Sequence, residues 1–134
     1  MKLLINTLAL LLFFSASCES QDNNNITLTY FAQTRGFIYS LQLKGNILEV
    51  NNNYTVKKIS LSETQIKELS KILSETDFEK IENNISIEDL AVDKAIKGNF
   101  DLVFNQKKYS FEFDHHNLPQ QIKQVLSYLD EVKE

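Results

Sequence analysis

"YTVKKISLSETQIKELSKIL", residues 54 to 73, changes its period halfway along, and that change decides the fold. Up to Ser60 it reads as a short strand behind the Asn51-Asn52-Asn53 turn, because asparagine tolerates the left-handed backbone that tight turns need. After Ser60 the apolar spacing becomes helical, with Ile66, Leu69, Ile72 and Leu73 on one stripe that runs to Thr76. Ser62 and Gln65 form an S-x-x-Q capping box, and Leu61 is placed to staple onto Ile66. These signals predict a helix over about 62–75.

Upstream, every apolar run alternates. Ile26, Leu28 and Tyr30 share one face, as do Phe37, Tyr39, Leu41 and Leu43; Lys44-Gly45-Asn46 turns the chain into "ILEV" at 47–50. The first half is therefore a meander of about four strands. Downstream, alternation returns with Phe100, Leu102 and Phe104, then Tyr109, Phe111 and Phe113, across the polar turn "NQKK" at 105–108. A last helix follows, with Leu118, Ile122, Val125, Leu126, Leu129 and Val132 on one side and Pro119 in its first turn. Strands in runs, linked by tight turns, predict an antiparallel sheet of about six strands with two helices packed on one face, an α+β fold over 26–134. Residues 77–98 keep apolar content without a period and read as a loop with a short helical turn. Loops of that length often carry function, so a partner surface is expected there.

The N-terminus has a different character. Met1-Lys2 gives a positive start, Leu3 to Phe14 an apolar run, and Ser15-Ala16-Ser17 a small-residue stretch, which together make a secretory signal over 1–17. The run is too short to cross a hydrocarbon core of about 30 Å. Cys18, the single cysteine, follows directly, so it has no disulfide partner in the chain and no second thiol for a zinc cluster. Placed directly after these small residues, it resembles the lipobox cysteine of bacterial lipoproteins, which implies an attachment site for lipid. "ESQDNNN" at 19–25 has no apolar side chain and reads, with Cys18, as a polar tether.

Composition narrows the partners. The chain carries 14 basic and 18 acidic residues, a net charge of −4 that becomes one unit more negative once Lys2 is removed. That balance argues against nucleic acid, and membrane contact is expected through acyl chains instead. No cofactor motif is present: the three glycines, Gly36, Gly45 and Gly98, form no phosphate loop, and no G-x-S-x-G elbow occurs. The sequence reads as non-enzymatic.

Three further places bear on binding. "DHHN" at 114–117 holds both histidines; on an extended backbone His115 and His116 point to opposite sides, which disfavours chelation of one ion. They are expected as exposed imidazoles near a helix start, with Asn117 as a cap. Arg35 is the sole arginine, and its planar fork suits a carboxylate: Asp93 or Asp114 as an internal clamp, or an acidic group on a ligand. Gly36 beside it suggests a bend in a strand, which favours the clamp. The sequons at Asn25, Asn53 and Asn84 are incidental to an asparagine-rich chain.

Taken together, the leader ending in cysteine, "QTRG" at 33–36, Asp93-Lys94-Ala95, and "FDH" at 113–115 before a proline-led helix resemble small lipoproteins of Bacteroidota of unassigned role. The resemblance covers most of 26–132 and implies a diacylglycerol on the Cys18 thiol and a place in the cell envelope, usually the outer membrane. Here His116 and a single Pro119 stand where those proteins tend to have glycine and a double proline. Element order alone is also similar to emfourin-like inhibitors of thermolysin-type peptidases, whose "GGFAG" signature is reduced here to Gly36-Phe37. That similarity implies, as an alternative, an inhibitor of a metallopeptidase.

Overall fold

The computed structural model describes residues 25–92 and 94–134; the leader, Cys18, nearly all of the tether, and Asp93 lie outside the described residues. Six strands, β1 (Thr27–Thr34), β2 (Phe37–Lys44), β3 (Ile47–Asn52), β4 (Thr55–Ser60), β5 (Lys97–Phe104) and β6 (Lys107–Asp114), form one sheet in the order β4-β3-β2-β1-β5-β6. Every neighbouring pair is antiparallel. Three α-helices, α1 (Glu63–Glu75), α2 (Ile87–Ala91) and α3 (Gln120–Val132), and a 3-10 turn (Phe78–Lys80) complete the described chain. This is the α+β architecture that the change of period implies.

Period-two alternation places one set of strand side chains in the core. Leu28, Tyr30, Leu41, Leu43, Leu48, Phe100, Leu102 and Phe113 are at most 1% exposed, and Leu69, Leu73, Ile122, Val125 and Leu129 of α1 and α3 meet them. Burying each such side chain contributes about 1.5–3 kcal/mol relative to leaving it in water. The opposite face is solvated and bears Thr29, Gln42, Glu49 and Asp101 with scattered apolar residues such as Phe31 and Val103. Tyr128 ties the two long helices together, its hydroxyl lying 3.0 Å from the Gln65 carbonyl oxygen and 2.8 Å from the Glu68 carboxylate.

The local signals act as their chemistry dictates. At the start of α1 the Ser62 hydroxyl accepts from Gln65 N–H at 3.2 Å while the Gln65 side chain accepts from Ser62 N–H at 2.9 Å, so two otherwise orphaned donors are satisfied. The hairpins β3–β4 and β5–β6 turn through two residues each, with Asn53 and Tyr54 at φ 47° and 71°, and Asn105 and Gln106 at φ 51° and 63°. Left-handed backbone at both central positions is the type I′ turn that matches strand twist.

Three expectations change. The turn between β1 and β2 is Arg35-Gly36 itself, so Gly36 does not mark a bend within a strand; Thr34 pairs directly with Phe37. Helix α3 begins after Pro119, whose fixed φ of −52° suits that place, and Asn117 does not cap it. The stretch read as a loop is shorter, because β5 starts at Lys97 and pulls Gly98 and Asn99 into the ladder. Its middle is held down: Phe78 and Ile81 are buried in the core, while Asn83 and Asn84 strap the outer edge of β6. Asn83 Oδ1 accepts from Glu112 N–H and Asn84 Oδ1 from Asp114 N–H, both at 2.8 Å. The last part of this sheet edge, at Glu112 and Asp114, is thereby closed without another strand.

Candidate functional site

Of the sequence-derived candidates, Arg35, Asp114, His115 and His116 lie at the end of the sheet where the β1–β2 turn, the start of β5 and the end of β6 meet. His115 follows β6, and its N–H donates to the Ile96 carbonyl at 2.7 Å, which fixes the chain as it leaves the ladder. The imidazole folds inward. Its Nδ1 is 2.7 Å from the Tyr30 hydroxyl, and its ring lies 5.8 Å from Tyr30, 5.2 Å from Phe37 and 5.9 Å from Tyr39, centroid to centroid. His115 is thus half-buried in an aromatic nest, which corrects the expectation of an exposed imidazole; His116 alone is exposed.

Gly98 makes this nest feasible. The Tyr30 ring crosses the β5 backbone where a Cβ on residue 98 would meet Cζ at 2.8 Å and Cε2 at 2.9 Å. Beside it, Tyr39 donates to Asp130 Oδ1 at 3.0 Å, and Lys133 donates to the same oxygen at 2.8 Å, joining β2 to the last turn of α3. Burial raises the Tyr30 hydroxyl well above the ordinary phenol range, helped by the Asp114 charge. The Tyr39 hydroxyl rises likewise through burial and then the Asp130 carboxylate. Burial pushes the His115 imidazole below its ordinary value and the His116 imidazole adds to this, against the opposing pull of Asp114. A neutral His115 facing a neutral phenol is a structural hydrogen bond: with the imidazole proton on Nε2, Nδ1 accepts from Tyr30 and is occupied.

Two openings flank the nest. One, of about 250 Å³, runs along α3 between Phe37, Tyr39, His115, Leu126 and Asp130. The other, of about 630 Å³, is different in kind: Arg35, Lys94 and Lys97 supply its charged lining beside His116, and Leu90 and Ile96 are among its apolar walls. No carboxylate lines this crevice among the described residues, although the chain as a whole is acidic. Lys97 is held by Glu112 at 2.5 Å; Arg35 and Lys94 make no ion pair among the described residues. Gly36 opens onto free space, since a Cβ there would meet nothing within 4 Å.

The candidates named from sequence fall as follows. Arg35 and His116 line the crevice together. Asp114 is occupied locally, its Oδ1 accepting from His116 N–H at 3.0 Å, and it forms no ion pair with Arg35. The rings of His115 and His116 lie 5.8 Å apart and serve different surroundings, one the nest and one the crevice. Asp93 and Cys18 lie outside the described residues. Sequence reasoning does not point to Lys94, Lys97, Tyr30 or Tyr39 as site residues. The two lysines carried a faint signal, flanking Ala95-Ile96 in the aperiodic segment, but Tyr39 and Asp130 stand 91 positions apart and nothing local links them. No family model and no curated protein matches this sequence.

Proposed function

We propose that the chain is a lipid-anchored lipoprotein of the cell envelope, non-enzymatic, whose domain binds another macromolecule. The observation that supports a binding role is the crevice at the turn end of the sheet, where Arg35, Lys94 and Lys97 gather on an acidic chain. Charge of one sign brought together against the overall balance is unfavourable for folding and favourable for capture of an oppositely charged partner. The anchor rests on the leader: Cys18 directly after Ser15-Ala16-Ser17 takes a diacylglycerol on its thiol and becomes the first residue of the mature chain. Each buried CH₂ of the acyl chains contributes about 0.8 kcal/mol, so two or three chains hold the protein, in the outer membrane on this reading.

The two halves are tested separately. Mass spectrometry of the mature N-terminus should find Cys18 carrying acyl mass; an unmodified cysteine, or cleavage elsewhere, removes the anchor. For the partner, a photoreactive residue replacing Gly36, where the space is open, should give a discrete protein adduct when illuminated in the native envelope. Absence of any adduct from that position removes the binding role assigned to this end of the sheet.

A further inference from the structure

The crevice also has a chemistry, and on the reading that the domain binds a macromolecule, we propose that it takes an acidic peptide segment of a protein partner, with carboxylates facing Arg35 and Lys94. The cations do not form a phosphate cradle. Neither Arg35 nor Gly36 adopts the left-handed backbone that turns successive N–H groups into an anion nest. The three full cations come instead from the β1–β2 turn, the segment before β5, and the first residue of β5.

Between them the walls are apolar. Leu90 and Ile96 line the crevice, and Ile87, three residues before Leu90 on the same face of α2, is 85% exposed at 87. An isolated exposed isoleucine is unremarkable, but the i, i+3 spacing on α2 sets this one beside Leu90, outside the crevice lining itself, where it can extend the apolar surface. Apolar strips bordered by cations match a chain segment that alternates carboxylates with aliphatic side chains. Arg35 offers a planar fork for a bidentate carboxylate, and Lys94 a point charge. Lys97 contributes less, since Glu112 already takes its charge. A small oxyanion would use the cations and leave the apolar walls wet.

The test uses the full chain in detergent, with detergent alone as reference, and a fluorescent hexapeptide of alternating glutamate and leucine read by anisotropy. Binding should weaken about threefold to tenfold in Arg35→Ala and in Lys94→Ala, and should fade as salt is raised. Ile87→Ser should weaken it also, while Asp93→Asn, which removes the sequence-adjacent negative charge, should leave it intact or tighten it. Equal binding of a glutamine-leucine peptide, or no loss in the Arg35 and Lys94 variants, overturns the proposal. So does inorganic phosphate displacing the peptide at lower concentration than free glutamate does, which would make the crevice a small-oxyanion site. If the peptide fails while the photoreactive residue at position 36 still captures a protein, the partner stands and only its acidic character falls.

Discussion

At the scale of single residues, Gly98 and Asn84 matter out of proportion to their size. Gly98 faces a ring that moves aside only at a cost, because Tyr30 is fully buried and its hydroxyl is engaged with His115. Gly98→Ala should therefore cost about 1–3 kcal/mol in denaturant unfolding and shift the His115 imidazole resonances, since the added methyl displaces Tyr30. An unchanged midpoint with unchanged His115 resonances would show that the crossing is not close. Asn84 uses three polar groups at once: its N–H donates to Glu112 O at 3.2 Å, its Oδ1 accepts from Asp114 N–H at 2.8 Å, and its Nδ2 donates to Asn117 O at 2.6 Å. Asn84→Ala should lose about 1–3 kcal/mol, and amide exchange at Asp114 should accelerate ahead of the rest of the sheet. Neither role could be read from sequence. Gly98 looked like a loop glycine, and Asn84 looked like part of an incidental sequon.

At the scale of elements, the legible parts are those whose signal is local. The capping box, the helical stripes of α1 and α3, and the alternation in the hairpins all depend on neighbours within a few positions, so the order of meander, helix, hairpin and helix followed from the chain itself. The segment 77–96 did not, because what holds it is distant: side-chain amides reaching the β6 edge, and Phe78 and Ile81 reaching the core. His115 failed for a related reason. Strand periodicity assigns a side while the strand lasts, and His115 comes one residue after β6 ends, where the turn to Leu118 sets its direction. The turns themselves leave room for improvement. Type I′ geometry favours Asn-Gly, whereas β5–β6 has Asn105-Gln106 with Gln106 at φ 63°. A non-glycine residue there costs about 1–2 kcal/mol, partly offset by the greater unfolded-state freedom of glycine. Gln106→Gly should consequently raise the melting temperature by a few degrees, and a lower value would mean that the Gln106 side chain makes a contact of its own.

At the scale of the whole molecule, three phenols and one imidazole shape the pH dependence. His115 is lowered from 6.5 in the folded chain, so below that value the unfolded state binds the proton first. Its contribution is complete above the unfolded value and is lost as pH falls toward the depressed folded one. The phenols act in the opposite sense. Tyr30, Tyr39 and Tyr128 are raised from 10.0, Tyr128 to about 12 through burial and then its bond to Glu68. Their contribution is complete below the unfolded value and declines as pH climbs above it. Melting temperature against pH should therefore fall on the acid side from just below 6.5 and on the alkaline side from about 10, the ordinary values of these groups. The His115→Gln variant should lose its share of the acid limb and Tyr128→Phe part of the alkaline one; limbs unchanged by both would assign the titration elsewhere.

The strand order has a mechanical consequence. The first described strand is an interior one, bonded to β2 along its whole length and to β5 along most of it, and Ile26 just ahead of it is fully buried. Tension arriving at Thr27 from the upstream chain thus does not peel an edge strand away one bond at a time. It loads two ladders together in shear, with the core closing over one face. A domain that hangs from its N-terminus is best gripped by such a strand, because the point of suspension is among the last parts of the sheet to yield.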